Sequence, residues 1–193
     1  MDVASTRTLQ EVDSAYTERR TPGYEVSVHI LKGKGMNHKI TLSSNEQRLA
    51  TFIAKMRYAN ARSNNVKDMK MGDQSNEQTD LEGFGAELAF CKLMNIYPDL
   101  ETGDNLPDYD CIDCNGITYD VKSTIYPDGH LLATLKKKNN PPDKYVLVIG
   151  EFPEYKIVGE IGADEFLQDS NIGNLGKGPG FMLTQAELNP VMI

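Results

Sequence analysis

Apolar and polar positions divide the chain into short runs with different periods. Tyr24 to Leu31 alternates, as a half-buried strand does. Lys32-Gly33-Lys34-Gly35 reads as a turn, and Asn37 to Leu42 as a second short strand. Ser43 with Glu46 is a capping box that opens a helix to about Arg62. Asn64 to Gln78 is polar, and reads as a loop over a site or a disordered connector. Helical spacing returns with Leu81, Phe84, Leu88 and Cys91, behind a second capping box of Thr79 and Glu82. Asp110 to Asp120 then reads as strand, turn, strand, and Leu131 to Leu135 as a third strand. The continuous apolar run from Lys144 to Gly150 suits a strand covered on both faces. Tyr155 to Ile161 is one more strand, and Ala163 to Asp169 a short helix. Gly176 to Gly180 reads as a loop, and Phe181 to Ile193 as an irregular tail with a turn of helix.

The segment with the most chemistry is the hairpin. Asn115-Gly116 between two β-prone runs is a strong turn signal. A two-residue loop would pair Cys114 with Ile117 and set Cys111 opposite Asp120. A three-residue loop, with Gly116 in the left-handed position, would pair Asp113 with Ile117 and set Asp110 opposite Asp120. Directly opposed residues sit about 4.5–5.5 Å apart at Cβ, so two such carboxylates can share a cation. Alternation puts Lys122 on the same face as Asp120. Asp108 has the parity of Asp110 but lies one pair further along. Asp110 is the expected first metal aspartate and Asp108, which follows Pro107, its alternate.

The helix before the hairpin carries a further acid. Glu87 lies at the edge of that helix's apolar face, flanked a turn away by Gly83, Phe84, Phe90 and Cys91. Burying a carboxylate there is costly without a partner, and a metal or its water would be one. The glycines at 83 and 85 would let the helix approach a sheet, although each weakens it by about 1 kcal/mol relative to alanine.

Helix glutamate, strand aspartate and then Asp120-Val121-Lys122 is an order that resembles the metal centre of the PD-(D/E)XK nuclease superfamily. Gly83-Phe84-Gly85-Ala86-Glu87 is similar to the helix entry of several members, and Ser123-Thr124 to the polar pair after the lysine. The resemblance covers residues 79–150. It implies an α/β fold: a restriction-endonuclease-like αβββαβ core, with a mixed central sheet and helices on both faces, plus an N-terminal hairpin-helix extension. Within a single domain, residues 1–78 would form the extension and linker, 79–161 the nuclease core, and 162–193 the C-terminal helix and tail. It also implies a Mg²⁺ site, in which Mn²⁺ would substitute. Asp110, Asp120 and the carbonyl of Val121 would be its ligands, with Glu87 a ligand directly or through water. Lys122 would orient the attacking water or the phosphate oxygens. The small phage and prokaryotic members are the nearest in character, many of them dimeric, so a DNA endonuclease and a homodimer are the expected activity and assembly. The alternative is a non-catalytic nucleic-acid-binding or interaction module that retains the fold. Asp-x-Lys alone is uninformative, and the plainest alternative is a solvated acidic hairpin.

Charge refines the picture. The 193 residues carry a net charge of −8, which by itself disfavours a nucleic-acid partner. The distribution does not: residues 29–72 hold nine Lys/Arg against two acids, and residues 73–130 hold two Lys against thirteen acids. Bound cations would offset part of the second set. Arg57, Arg62, Lys67 and Lys70 in the basic segment are candidate phosphate contacts, as are Lys136 and Lys137 in Lys136-Lys137-Lys138. Taken alone, each of these reads better as a solvated face. Cys111-x-x-Cys114 lacks a second pair for zinc and would lie across a hairpin rather than at a helix start, so small strand and turn residues are the expected role. Three cysteines, no membrane-length apolar run and no signal-peptide core in residues 1–7 fit a cytoplasmic protein, in the host cell if phage-encoded.

Overall fold

The computed structural model describes residues 38–64, 75–103, 107–174 and 178–193. The expected strand Tyr24–Leu31, the turn after it, and Lys67 and Lys70 lie outside the described residues.

Strand β1 (His38–Thr41) leads into helix α1 (Ser44–Ser63), capped by Ser43 with Glu46 in the reciprocal box that the sequence predicts. Helix α2 (Asn76–Met94) starts earlier than expected. Its cap is Ser75, whose hydroxyl accepts the Gln78 N–H. Thr79 therefore lies inside the helix, donating its hydroxyl back to the Ser75 carbonyl. Glu82 is not a capping residue: it is buried and accepts from the Phe152 N–H at 2.8 Å and the Tyr155 hydroxyl at 3.3 Å. The cap moved because Thr79 and Glu82 both have stronger partners than each other.

A five-stranded mixed sheet follows: β2 (Cys111–Ile112), β3 (Thr118–Thr124), β5 (Lys144–Glu151) and β6 (Glu154–Gly162), together with β1, in the order β1-β6-β5-β3-β2. Only β3 and β5 run parallel; the other pairs are antiparallel. From Tyr145 to Val148 the middle of β5 is fully buried, as its apolar run requires.

On one face lie α1 and α2. Phe84 to Cys91 of α2 is buried at every one of its eight positions, because the helix is wedged between the sheet and α1. Burial of each large apolar side chain there contributes about 1.5–3 kcal/mol. The close approach rests on one glycine. A Cβ at Gly85 would collide with the Tyr155 ring and hydroxyl, whereas one at Gly83 would meet open space. Nothing in the structure requires glycine at 83.

The other face differs from expectation. Instead of a layer of helices, it carries a second, three-stranded sheet of β4 (Leu131–Thr134), β8 (Pro179–Leu183) and β7 (Ile172–Asn174), in the order β4-β8-β7, with the four-residue α3 (Ala163–Phe166) beside it. The third expected strand thus leaves the central sheet, and the supposed loop and tail supply its partner. Leu131 and Ala133 face inward, and their register partners Leu183 and Phe181 come from 52 and 48 residues further along. Tyr145, Phe166 and Phe181 stack edge to face through this second core, with centroids 4.9 and 6.1 Å apart. The molecule is therefore a mixed α/β protein with two cores separated by one sheet. No helix among the described residues is long and apolar enough to cross a membrane.

Candidate active site

The hairpin adopts the three-residue loop. The Asp113 N–H donates to the Ile117 carbonyl at 3.0 Å, and Gly116 sits at φ +84°. The Asp113 carboxylate caps the turn by accepting the Asn115 and Ile117 N–H groups. Cys111 pairs with Tyr119, and the Asp110 N–H donates to the Tyr119 carbonyl at 2.8 Å. Asp110 thus stands beside Cys111 against Tyr119, one residue past the end of the ladder. Beyond Asp110 the partner strand ends, and the open edge of β3 has an N–H to satisfy. The Asp110 carboxylate takes it, accepting the Val121 N–H at 2.6 Å. The Val121 carbonyl leaves the strand on that same side.

Glu87 reaches this edge from α2. The helix is fixed to β3 by Phe90, one turn after Glu87, whose ring meets Tyr119 at 5.2 Å between centroids. Glu87, Asp110 and Lys122 thereby come close enough to feel one another's charge and that of Asp120. Burial holds Glu87 above the ordinary carboxylate range, partly offset by Arg57. Burial, and then the charges of Glu87 and Asp120, hold Asp110 well above it. Burial opposes the charged form of Lys122, but Asp120, Asp110 and Glu87 outweigh it, and the ammonium is held more firmly than usual.

Basic groups stand against these carboxylates. Asp120 is 1 % exposed, and its two oxygens lie 2.5 Å from Lys122 Nζ and 2.8 Å from Lys137 Nζ. Both oxygens are buried, and the two ammonium groups neutralise them. Glu87 Oε2 accepts from Arg57 Nη1 at 2.9 Å. The same guanidinium donates to the Asp99 and Glu101 carbonyls and lies 4.8 Å over the Phe84 ring.

Among the described residues, no three His, Cys, Asp or Glu side chains stand together in ligating position; each carboxylate is turned to a basic group or an N–H. The donor set nonetheless fits a hard divalent cation. It offers three carboxylates and a free-edge carbonyl, which are the oxygen ligands that Mg²⁺ takes. The two Asp120 oxygens are held by ion pairs that a bound cation can replace.

The expected residues are therefore split. Glu87, Asp110, Asp120, Val121 and Lys122 gather at one edge. Asp108 is exposed, and its carboxylate accepts from the Asn140 amide while its carbonyl accepts from Lys137. Arg57 and Lys137, expected on an outer face, stand inside the site. Arg62 lies 5.4 Å over the Tyr58 ring, and Lys136 is exposed. Cys111 is buried against Cys91 while Cys114 is exposed, so the Cys-x-x-Cys cysteines do not converge. Sequence reasoning missed Tyr145, paired in register with Asp120, whose buried hydroxyl has no partner among the described residues. Nothing local marks it: a tyrosine inside an apolar strand reads as core.

Compared with protein-family models, curated proteins and solved structures, the chain finds no match in any of the three.

Proposed function

We propose that the chain is a Mg²⁺-dependent nuclease, of the PD-(D/E)XK kind, that hydrolyses phosphodiester bonds in DNA as an endonuclease. One observation carries the reading. Three carboxylates and a lysine, from a helix and both strands of a hairpin, lie within electrostatic reach of one another where the hairpin opens. A structural ion-pair cluster has no need of three mutually repelling carboxylates, two of them held in a protonation-prone state by burial.

In this reading Glu87, Asp110, Asp120 and the Val121 carbonyl hold the cation. Bound there, Mg²⁺ supplies a water of lowered pKa and stabilises charge on the phosphoryl oxygens. Lys122, released from Asp120, donates to the attacking water or a non-bridging phosphate oxygen. Lys137 is the second cation able to turn from Asp120 to phosphate. Arg57 orients Glu87 and offsets part of the cost of its charge, and is a positioning residue.

A second reading has one observation in its favour: Lys122 and Lys137 together neutralise Asp120. A non-catalytic DNA-binding module with a closed ion-pair cluster would look the same. Cleavage separates the two. Supercoiled plasmid, linear duplex, single strand and four-way junction are offered to wild type and Asp120→Ala with Mg²⁺, Mn²⁺ or EDTA. Metal-dependent cutting that vanishes in the variant supports the nuclease. Salt-sensitive binding without cutting supports the module.

A further inference from the structure

A cavity of about 660 Å³ opens directly beside the carboxylate cluster, between the end of β3 and the second sheet. Its volume lies in the range of ligand pockets, roughly 300–1,000 Å³. Lys122 and Lys137, the two cations on Asp120, form one wall. Tyr126, Asp128, His130, Leu132 and Met182 are among the residues that line the rest. Whatever occupies the cavity therefore touches the site, and most of what it meets there is apolar.

The cavity's rim is built. The Gly129 N–H donates to the Tyr126 carbonyl at 2.9 Å, closing the turn. Gln185 Nε2, from beyond β8, donates to the Pro127 and Gly129 carbonyls at 2.8 and 3.1 Å. A Cβ at Gly129 would run into Thr124, so the turn cannot be closed this way with another residue. These contacts fix the backbone of a loop on which Tyr126, an exposed large hydrophobic residue, is 58 % accessible. An aromatic ring held in the open by such bonds, at the mouth of an apolar cavity, is a surface for a flat partner.

Two lysines at one wall and an aromatic, largely apolar interior match one chemistry: a phosphate joined to a planar heterocycle. A base inside a duplex is stacked and paired and cannot enter. We propose that this cavity receives one unstacked base of the strand being cut, which makes nucleotides free to leave the stack, in single strands, flaps and junctions, the substrate class. The proposal rests on the nuclease reading. The phosphate next to that base would lie at Lys122 and Lys137, and the base would stack on Tyr126, a contact every base can make.

The test is binding in EDTA, where no cutting occurs, read by fluorescence anisotropy at fixed salt. The probes are a labelled single-stranded oligonucleotide and its full duplex. The proteins are wild type, Tyr126→Ala and Thr134→Trp. Thr134 is exposed and lines the cavity, so tryptophan there fills it without entering either core. Thermal melting checks that both variants fold. The expected result is tighter binding of the single strand, lost by about tenfold in each variant, with duplex binding unchanged. Equal binding of the two probes by wild type, or wild-type single-strand affinity in both variants, would overturn the proposal. The same oligonucleotides are then given Mg²⁺. Metal-dependent cutting that is indifferent to pairing and to both substitutions leaves the nuclease and removes the base pocket. Neither binding nor cutting of either probe removes both.

Discussion

The central sheet is covered by unlike means on its two faces. On one, two helices of 20 and 19 residues bury a continuous apolar core against β1, β3, β5 and β6. On the other, a small sheet assembled from distant segments buries Leu131, Phe166, Phe181 and their neighbours. The carboxylates sit at the seam. Glu87 comes from the helical face, while Asp120 shares its strand position with Tyr145, which belongs to the second core. The helical face thus supplies a rigid platform. The second sheet supplies the walls beside the reacting groups, including Lys137 from the 3₁₀ turn after β4. Stability on one side and access on the other follow from that division.

Several substitutions break or sharpen the comparison. Lys122→Ala removes the group that would face water or phosphate, and cleavage with Mg²⁺ should fall by about 10²–10⁴-fold. A variant as active as wild type would take Lys122 out of the chemistry. Phe181→Ala empties the second core and should cost about 3–5 kcal/mol in urea unfolding. A loss below about 1 kcal/mol would mean the small sheet does not cover that face. On the helical face, Gly85→Ala forces a methyl group against the buried Tyr155 ring and the half-buried Phe152 ring, and overpacking of this kind costs about 1–3 kcal/mol.

Asp110→Asn tests the seam itself. Burial, Glu87 and Asp120 raise the Asp110 pKa, so the folded chain keeps a proton that the unfolded chain releases above about pH 4. Stability contributed by this group is full at low pH and falls as pH rises from about 4 through the raised pKa. The asparagine can still accept the Val121 N–H but carries no charge. The metal-free variant should therefore melt higher than wild type at neutral pH, with a flatter dependence on pH, and should not cleave. Equal melting temperatures from pH 4 to 8 would contradict the raised pKa. The smallest effect is the gain from Gly83→Ala, about 0.5–1 kcal/mol, because its Cβ meets nothing and helix propensity alone changes.

What was legible in the sequence was local. Ser43 with Glu46 marked the start of α1, and Asn115-Gly116 bounded the hairpin to two registers. One of those registers would set Asp110 against Asp120. Glu87 stood out because helical spacing put a carboxylate among apolar residues. What was illegible was pairing at a distance. Leu131 to Thr134 alternates as any one-sided strand does, and only Phe181 and Leu183, 48 and 52 residues on from their partners, take it out of the central sheet. Those partners follow a glycine-rich run, which hides the strand. Arg57 and Lys137 read as surface charges because their acids lie 30 and 17 residues away in the chain. Thr79 illustrates the converse: a sound capping signal lost to a stronger cap one turn earlier.

The most direct test of the central claim is metal binding itself, by Mn²⁺ titration followed by electron paramagnetic resonance. Wild type, Asp110→Asn and Asp120→Asn are compared without nucleic acid. The expected result is saturable binding by wild type, competed by Mg²⁺ and weakened at least tenfold in both variants. Binding that is equal in all three, or no binding by folded wild type at millimolar Mn²⁺, would contradict a metal centre at these carboxylates.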